Sequence, residues 1–327
     1  MNVRKKWIIA ALILLGAGIL ICGISLAATG FDIKKLSNET FETNTYEVRE
    51  AFEDISIETV TDDIEFVLSE DSKCSVVCLE TEKASHDVKV EDHTLKISTH
   101  DSRKWFDFFD FSFQTPKITV YLPEAQYAAL SISDSTGDIG LPEHLTFDEI
   151  NIRLTTGDVS CSSSCKSHMK IEAGTGDINV QDVSAGQMTL SVTTGNIRVT
   201  SAQCEGIMEL HVTTGDTRLE GVTGMAVRST GTTGDLIMKN VLASDTFGLE
   251  RGTGDIRLDS CDAGSITAKT TTGDITGTLL SDKVFITHTG TGDVHVPAST
   301  EGGSCELTTS TGDIFIDGII GAVPGSP

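Results

Sequence analysis

One phrase, Thr-Gly-Asp, returns along this chain at an interval that reads as an architecture. Its glycines are Gly137, Gly157, Gly176, Gly195, Gly215, Gly234, Gly254, Gly273, Gly292 and Gly312, at steps of 20, 19, 19, 20, 19, 20, 19, 19 and 20 residues, with Asn196 in place of aspartate after Gly195. A unit this short has no core of its own and buries its apolar face only against the units before and after it.

Within each unit the pattern is that of strands. After each Gly-Asp comes a period-2 alternation, as at Ile178 and Val180, Ile197 and Val199, Ile256 and Leu258, or Val294 and Val296. A further apolar residue follows three places on, at Val183, Val222, Val241, Cys261 and Leu280. A polar corner then leads to a second alternating run, such as Met188, Leu190 and Val192, that returns to the next Thr-Gly-Asp. Alternation of this kind marks half-buried strands, so the expected fold is all-β: a single β-solenoid of about ten 19–20-residue coils. With neighbouring strands roughly 4.8 Å apart, ten coils rise on the order of 45 to 50 Å. An antiparallel sandwich also has spaced short strands, but its hairpins have no reason to keep one length.

The repeated residues have separate tasks. Glycine at one corner of every unit predicts a backbone with positive φ, where a Cβ costs on the order of 1 kcal/mol. The threonine before each glycine stacks into a column, and the aspartate after it holds the turn through backbone amides. Stacked in register, Asp138, Asp158, Asp177, Asp216, Asp235, Asp255, Asp274, Asp293 and Asp313 form a line of like charges, with Asn196 interrupting it. Two remedies suggest themselves. Arg198, Arg218, Arg257 and His295 lie two residues beyond the Asp or Asn position and can neutralise neighbours. The alternative is calcium bound along Asp158, Asp177, Asp216, Asp235, Asp255, Asp274 and Asp293, by analogy with aspartate-rich β-rolls.

Charge and hydropathy place the chain. A formal charge of −24 disfavours nucleic acid as a partner, since phosphate binding needs clustered Lys and Arg. Residues 7–28 carry no charge and follow Arg4, Lys5 and Lys6, which predicts one transmembrane helix with a cytoplasmic N-terminus. A cleaved signal peptide ending near Ala27 is the competing reading, and either one places the body outside the cytoplasm. Outside that segment there are seven cysteines, an odd number, with no C-x-x-C, and the eight histidines are scattered. The cysteines therefore read as small apolar fillers, and no metal or cofactor site is expected.

Before the first full repeat the theme is looser. Ile55, Ile57, Ile64 and Phe66 repeat the strand-corner-strand pattern with Asp62 where glycine would stand, and short alternating runs follow. The domain plan is an anchor at 1–28, a linker at 29–50, an N-terminal cap with irregular first coils at 51–133, the regular solenoid at 134–317 and a tail at 318–327. Terminal units of a solenoid are atypical because they cover an open end. Residues 105–113 of that cap gather five of the thirteen phenylalanines and the only tryptophan outside the first segment. Phe109 and Phe111 are expected to close the core. Trp105, Phe106 and Phe108 are candidate interaction residues, since exposed aromatic patches often dock on membranes or partners.

These elements together resemble a known family. The basic-then-apolar N-terminus, the strand pair at 55–64, the run Ile118-Thr-Val-Tyr-Leu-Pro123, Leu130-Ser-Ile and the serial Thr-Thr-Gly-Asp-Ile units are similar to the bacterial "putative adhesin" family of β-strand-repeat proteins. The resemblance covers residues 50–317 and implies a cell-envelope protein of unknown function with a solenoid ectodomain. It supplies no catalytic residues. The aspartates recur like a structural column and no coil carries an insertion long enough to wall a cleft, so the chain reads as non-enzymatic. The expected function is a membrane-anchored scaffold or adhesin-like module binding an envelope polymer or membrane protein. The alternatives are an envelope-stress sensor acting through membrane partners and a calcium-dependent surface module.

Overall fold

The computed structural model describes residues 3–28, 40–81, 84–101 and 115–317. A helix, α1 (Val3–Ala28), precedes strands β1 (Phe41–Val48), β2 (Asp54–Glu58), β3 (Asp63–Leu68), β4 (Cys74–Thr81), β5 (Ala84–Glu91), β6 (Thr94–Asp101) and β7 (Lys117–Leu122). The body then alternates long and short strands: β8 (Gln126–Thr136) and β9 (Ile139–Leu141), β10 (Thr146–Thr156) and β11 (Val159–Cys161), β12 (Ser164–Thr175) and β13 (Ile178–Gln181), β14 (Ser184–Thr194) and β15 (Ile197–Thr200). It continues through β16 (Gln203–Thr214) and β17 (Thr217–Glu220), β18 (Thr223–Thr233) and β19 (Leu236–Lys239), and β20 (Leu242–Thr253). The last are β21 (Ile256–Thr272), β22 (Ile275–Leu279), β23 (Lys283–Thr291), β24 (Val294–His295), β25 (Gly303–Thr311) and β26 (Ile314–Asp317).

This is a parallel β-solenoid of about ten turns, each coil pairing long strand on long strand and short strand on short strand. The register is one coil per repeat. Met169, Met188, Met208, Val227, Phe247 and Ile266 stack as one inward row, every member at most 1% exposed. Val183, Ala202, Val222, Val241 and Cys261 form a second buried row after the short strands. In the following coil Leu279, not the expected Leu280, takes this place: Cys261 aligns with Leu279 after a register shift.

All ten expected glycines have positive φ, between 122° and 151°. A Cβ on Gly157 would stand 2.0 Å from the carbonyl oxygen of Gly137, and one on Gly234 would stand 2.1 Å from that of Gly215. Coil stacking, not local turn chemistry alone, therefore demands glycine. The second corner lies six residues on, just before the apolar row of Val183 and its equivalents and not after it as the sequence suggested. Asp182, Ser201, Gly221, Asn240 and Ser260 have φ between 52° and 64° there, a left-handed turn that short polar residues tolerate.

At both ends the coils depart from sequence order. The first coil, β2 and β3, lies between the β6–β7 coil and the β8–β9 coil. At the other end β25 and β26 are inserted between β21–β22 and β23–β24, so the coil of Gly292 is outermost. The inserted coil turns Cys305, Leu307, Thr309, Ile314 and Ile316 inward, at most 2% exposed, whereas the outermost strand β23 turns Phe285, Thr287 and Thr289 inward, so that Leu307 in the inserted coil stands opposite Thr287.

The N-terminal end is closed differently. There β4 pairs antiparallel with β7, β5 pairs antiparallel with β6, and β1 pairs antiparallel with β4. The linker expected at 29–50 is thus shorter, because β1 belongs to the sheet. Among the residues whose side chains are described, no helix is long and apolar enough to cross a membrane, and the expected transmembrane helix has no support there. Ile8, Ile9, Leu12, Cys22 and Leu26 of α1 lie outside that description.

Candidate functional site

Three groups of side chains were candidates from the sequence. The aromatic group, Trp105, Phe106 and Phe108, lies outside the described residues. The glycine corners are structural. The aspartate column stacks in register, but as a hydrogen-bond ladder.

In that ladder the backbone N–H of each aspartate donates to Oδ1 of the aspartate one coil away. Asp158 donates to Asp138 at 2.9 Å, Asp177 to Asp158 at 2.7 Å, Asp235 to Asp216 at 2.9 Å, Asp255 to Asp235 at 2.8 Å and Asp274 to Asp255 at 2.8 Å. Asn196 joins without interruption, donating to Asp177 at 2.8 Å and accepting from Asp216 at 2.9 Å. The coil inversion carries the ladder from Asp274 to Asp313 and then to Asp293. Hydrogen bonds from N–H groups to carboxylates are charge-assisted, and they oppose the repulsion between neighbours.

The outward arginines do not neutralise the ladder as expected. Arg257 pairs with Asp259 at 2.8 Å and the His295 ring stacks on Phe315 at 5.0 Å. Arg198 and Arg218 form no ion pair among the described residues. They border a shallow recess on the short-strand face, with Asn179, Asp177 and Asp216 beside them. An inward cation lies close to the ladder instead. Arg251 is 4% exposed and fills the space that the missing side chain of Gly231 leaves, its guanidinium donating to Ser229 Oγ at 3.0 Å and to the Glu250 carbonyl at 2.8 Å. Burial lowers its pKa to about 10, against the pull of Asp216 and Asp235.

The densest buried polar constellation lies in the N-terminal cap, at residues the sequence reading passed over. His86 is held between two carboxylates: Nδ1 is 2.7 Å from Glu80 Oε2 and Nε2 is 3.0 Å from Asp62 Oδ1. Glu80 Oε2 also accepts the His86 backbone N–H at 2.6 Å, while Oε1 accepts from Asn44 at 2.6 Å and lies 3.2 Å from the Tyr46 hydroxyl. Asp62 Oδ2 accepts from Thr99 at 3.2 Å. Burial works against a charge on His86, but hydrogen bonding to Asp62 and the proximity of Cys78 carry its pKa up to about 10. One row closer to the body, Asp134 accepts from Thr59 at 3.0 Å and leaves its Oδ2 without a partner. Burial raises its carboxyl to about 6.

Topology assembles this group. Cys78 and Glu80 lie on the inward face of β4, His86 returns on β5 after the turn, and Asp62 occupies the corner between β2 and β3. A Cβ on Gly137 would stand 2.1 Å from the Asp62 carbonyl, so Asp62 does sit at the glycine position of its coil. The legible signal was Glu80, a charged residue in the inward row Cys74, Val76, Cys78. All seven described cysteines are buried and free, and burial pushes the thiols of Cys161 and Cys261 up to about 12.

Comparison with known proteins supplies a family. The Toastrack DUF4097 family matches residues 52–208 and again 207–318. No curated protein matches the chain. Among solved structures, a "putative adhesin" from Bacteroides fragilis is 17% identical, covers 86% of this chain and 97% of its own, and has a TM-score of 0.41. A "putative lipid binding protein" from Parabacteroides distasonis is 18% identical over 72% of this chain and 96% of its own, with a TM-score of 0.48. A "putative adhesin" from the same species is 13% identical over 85% and 98%, with a TM-score of 0.44.

Proposed function

We propose that this chain, which belongs to the Toastrack DUF4097 family, is a non-enzymatic, membrane-anchored module that holds an acidic polymer of the bacterial cell envelope on its solenoid face. Anchoring is supported by the uncharged residues 7–28 behind three basic ones. At 1.5 Å per residue, the uncharged residues 7–28 would rise about 33 Å as a helix, close to the roughly 30 Å of a bilayer's hydrocarbon core. The positive-inside rule then puts the solenoid outside the cytoplasm.

The observation that carries the binding reading is the row Asn179, Arg198 and Arg218, displayed by consecutive short strands in register. Two guanidiniums one coil apart, in no direct ion pair among the described residues although both act on the Glu220 carboxylate beside its partner Lys239, offer an extended polyanion repeated contacts, and Arg is suited to carboxylate or phosphate groups. The aspartate ladder runs beside this row, which restricts where such a polymer can lie. The ladder aspartates serve the backbone and the His86 group is enclosed, so neither reads as catalytic.

The test compares retention of the full chain on anionic cell-wall polymer with capture of membrane proteins. Retention by the polymer that falls at least tenfold in an Arg198→Glu, Arg218→Glu double variant supports the proposal. Capture by a membrane protein alone, unchanged in that variant, overturns it in favour of a sensor or regulator. Turnover of an envelope glycan that one substitution abolishes would overturn the non-enzymatic reading.

A further inference from the structure

In the buried group of the N-terminal cap three ligand-type atoms converge, although His86 and Glu80 are also hydrogen-bonded there. Cys78 Sγ, a carboxylate oxygen of Glu80 and a ring nitrogen of His86 all lie within 4.8 Å of one another, and all three residues are buried. Thiolate, imidazole and carboxylate together suit a borderline divalent ion of the zinc class, and exclude magnesium or calcium, which take oxygen ligands.

We propose that Cys78, Glu80 and His86 form a structural binding site for a zinc-class divalent cation in the N-terminal cap, with Asp62 as the carboxylate behind the histidine. Two observations beyond the proximity of the donors support it. First, Asp62 Oδ1 lies 3.0 Å from Nε2, the ring nitrogen opposite the one facing Glu80. Such a carboxylate fixes the ring and raises the basicity of the metal-binding nitrogen, the usual second partner of a histidine ligand. Second, the enclosed charges do not balance. Asp62, Glu80 and Asp134 are buried acids near one another, and among the described residues His86 is the only basic side chain paired with any of them. A buried excess of negative charge is costly, and a divalent ion compensates it.

On binding, the ion takes a lone pair from one imidazole nitrogen and one from the Cys78 sulfur, and the protons those atoms carry pass to solvent. Glu80 turns one oxygen to the ion and keeps Asn44 on the other. The entry path is behind β1, whose Asn44 and Tyr46 cover Glu80 and which pairs on one side only, with β4. The site goes beyond the polymer-binding proposal and stands or falls separately from it: it lies in the cap, not on the arginine row.

The test uses the full chain in mild detergent, stripped of metal and titrated with zinc chloride and, separately, cobalt chloride. The expected result is one zinc per chain and, with cobalt, an absorption band of thiolate-to-metal charge transfer. Cys78→Ser, close in size to the native residue, should remove that band and weaken zinc binding about a hundredfold or more, while His211→Gln at an exposed site changes neither. Circular dichroism confirms that Cys78→Ser still folds, and His86→Gln is the second variant if it does not. No stoichiometric zinc, no charge-transfer band, or binding equal in wild type and Cys78→Ser would each overturn the site.

Discussion

The corner at Gly137 and the corner at Asp62 occupy the same place in neighbouring coils, yet they are held by different physics. From Gly137 onward the corner is backbone against backbone: glycine beneath a carbonyl, and an aspartate oxygen on the next amide. At Asp62 the neighbouring coil is β6–β7, parallel to it but edged by the antiparallel strands β4 and β5, and the side chain that glycine lacks reaches His86 and Thr99. The difference teaches that glycine is required where the corner carbonyl of the neighbouring coil leaves no room for a Cβ, as under Gly137 and even at the outermost Gly292. At Asp62 a longer side chain is accommodated and bonds to the strands of the cap instead.

Three experiments probe this contrast, in order of decreasing effect. Gly234→Val places a Cβ against the Gly215 carbonyl at φ +122°, and neither neighbouring coil can move away without breaking its own ladder. A loss above about 4 kcal/mol, in the range of severe core defects, is expected by denaturant unfolding, against under about 0.5 kcal/mol for Lys269→Ala on the outer face. Equal losses for the two would remove the distinction between backbone-held and exposed positions.

In the cap the effect should depend on pH. Burial raises Asp134 to about 6 from an ordinary 3.8. Its folded-state pKa lies above its unfolded one, so its contribution is intact below about pH 4 and is lost as pH rises through about 6. That difference corresponds to about 3 kcal/mol at neutral pH. Asp134→Asn should recover much of it above pH 6 and flatten the profile, while the same change at exposed Asp138 should not. A profile for Asp134→Asn parallel to wild type would show that the carboxyl is not strained.

The smallest effect is expected in the ladder. Asn196 already accepts the amide of Asp216 through a neutral oxygen, so Asp235→Asn keeps the hydrogen bond and removes a like charge. A change within about 1 kcal/mol is expected, and millimolar calcium should leave the melting temperature of the full chain unchanged. A rise of many degrees with calcium but not magnesium would restore the calcium-column alternative.

How much of this was legible follows from what each feature depends on. Strand alternation, glycine corners and register are written in a local pattern repeated every 19 or 20 residues, and the same residues carried the family resemblance. The second corner was harder to see because Asp182, Ser201, Gly221, Asn240 and Ser260 share a conformation and not an identity. The arginines were assigned to the ladder from spacing, which places residues on a face but does not choose their partners.

The amino-acid sequence alone determined that this chain is a stack of parallel coils, because a constant period admits one way to bury every unit. Only the tertiary structure decided the order of the coils at each end and the company of His86. Both the Gly292 and Gly312 coils have the corner needed to stack, and the one placed inside is the one with Leu307 where the other has Thr287, the apolar side chain being the better excluded from water. Likewise Asp62, Cys78, Glu80 and His86 have no common spacing. They meet because the antiparallel strands β4 and β5 cover the end of the solenoid and bring their polar side chains onto the Asp62 corner.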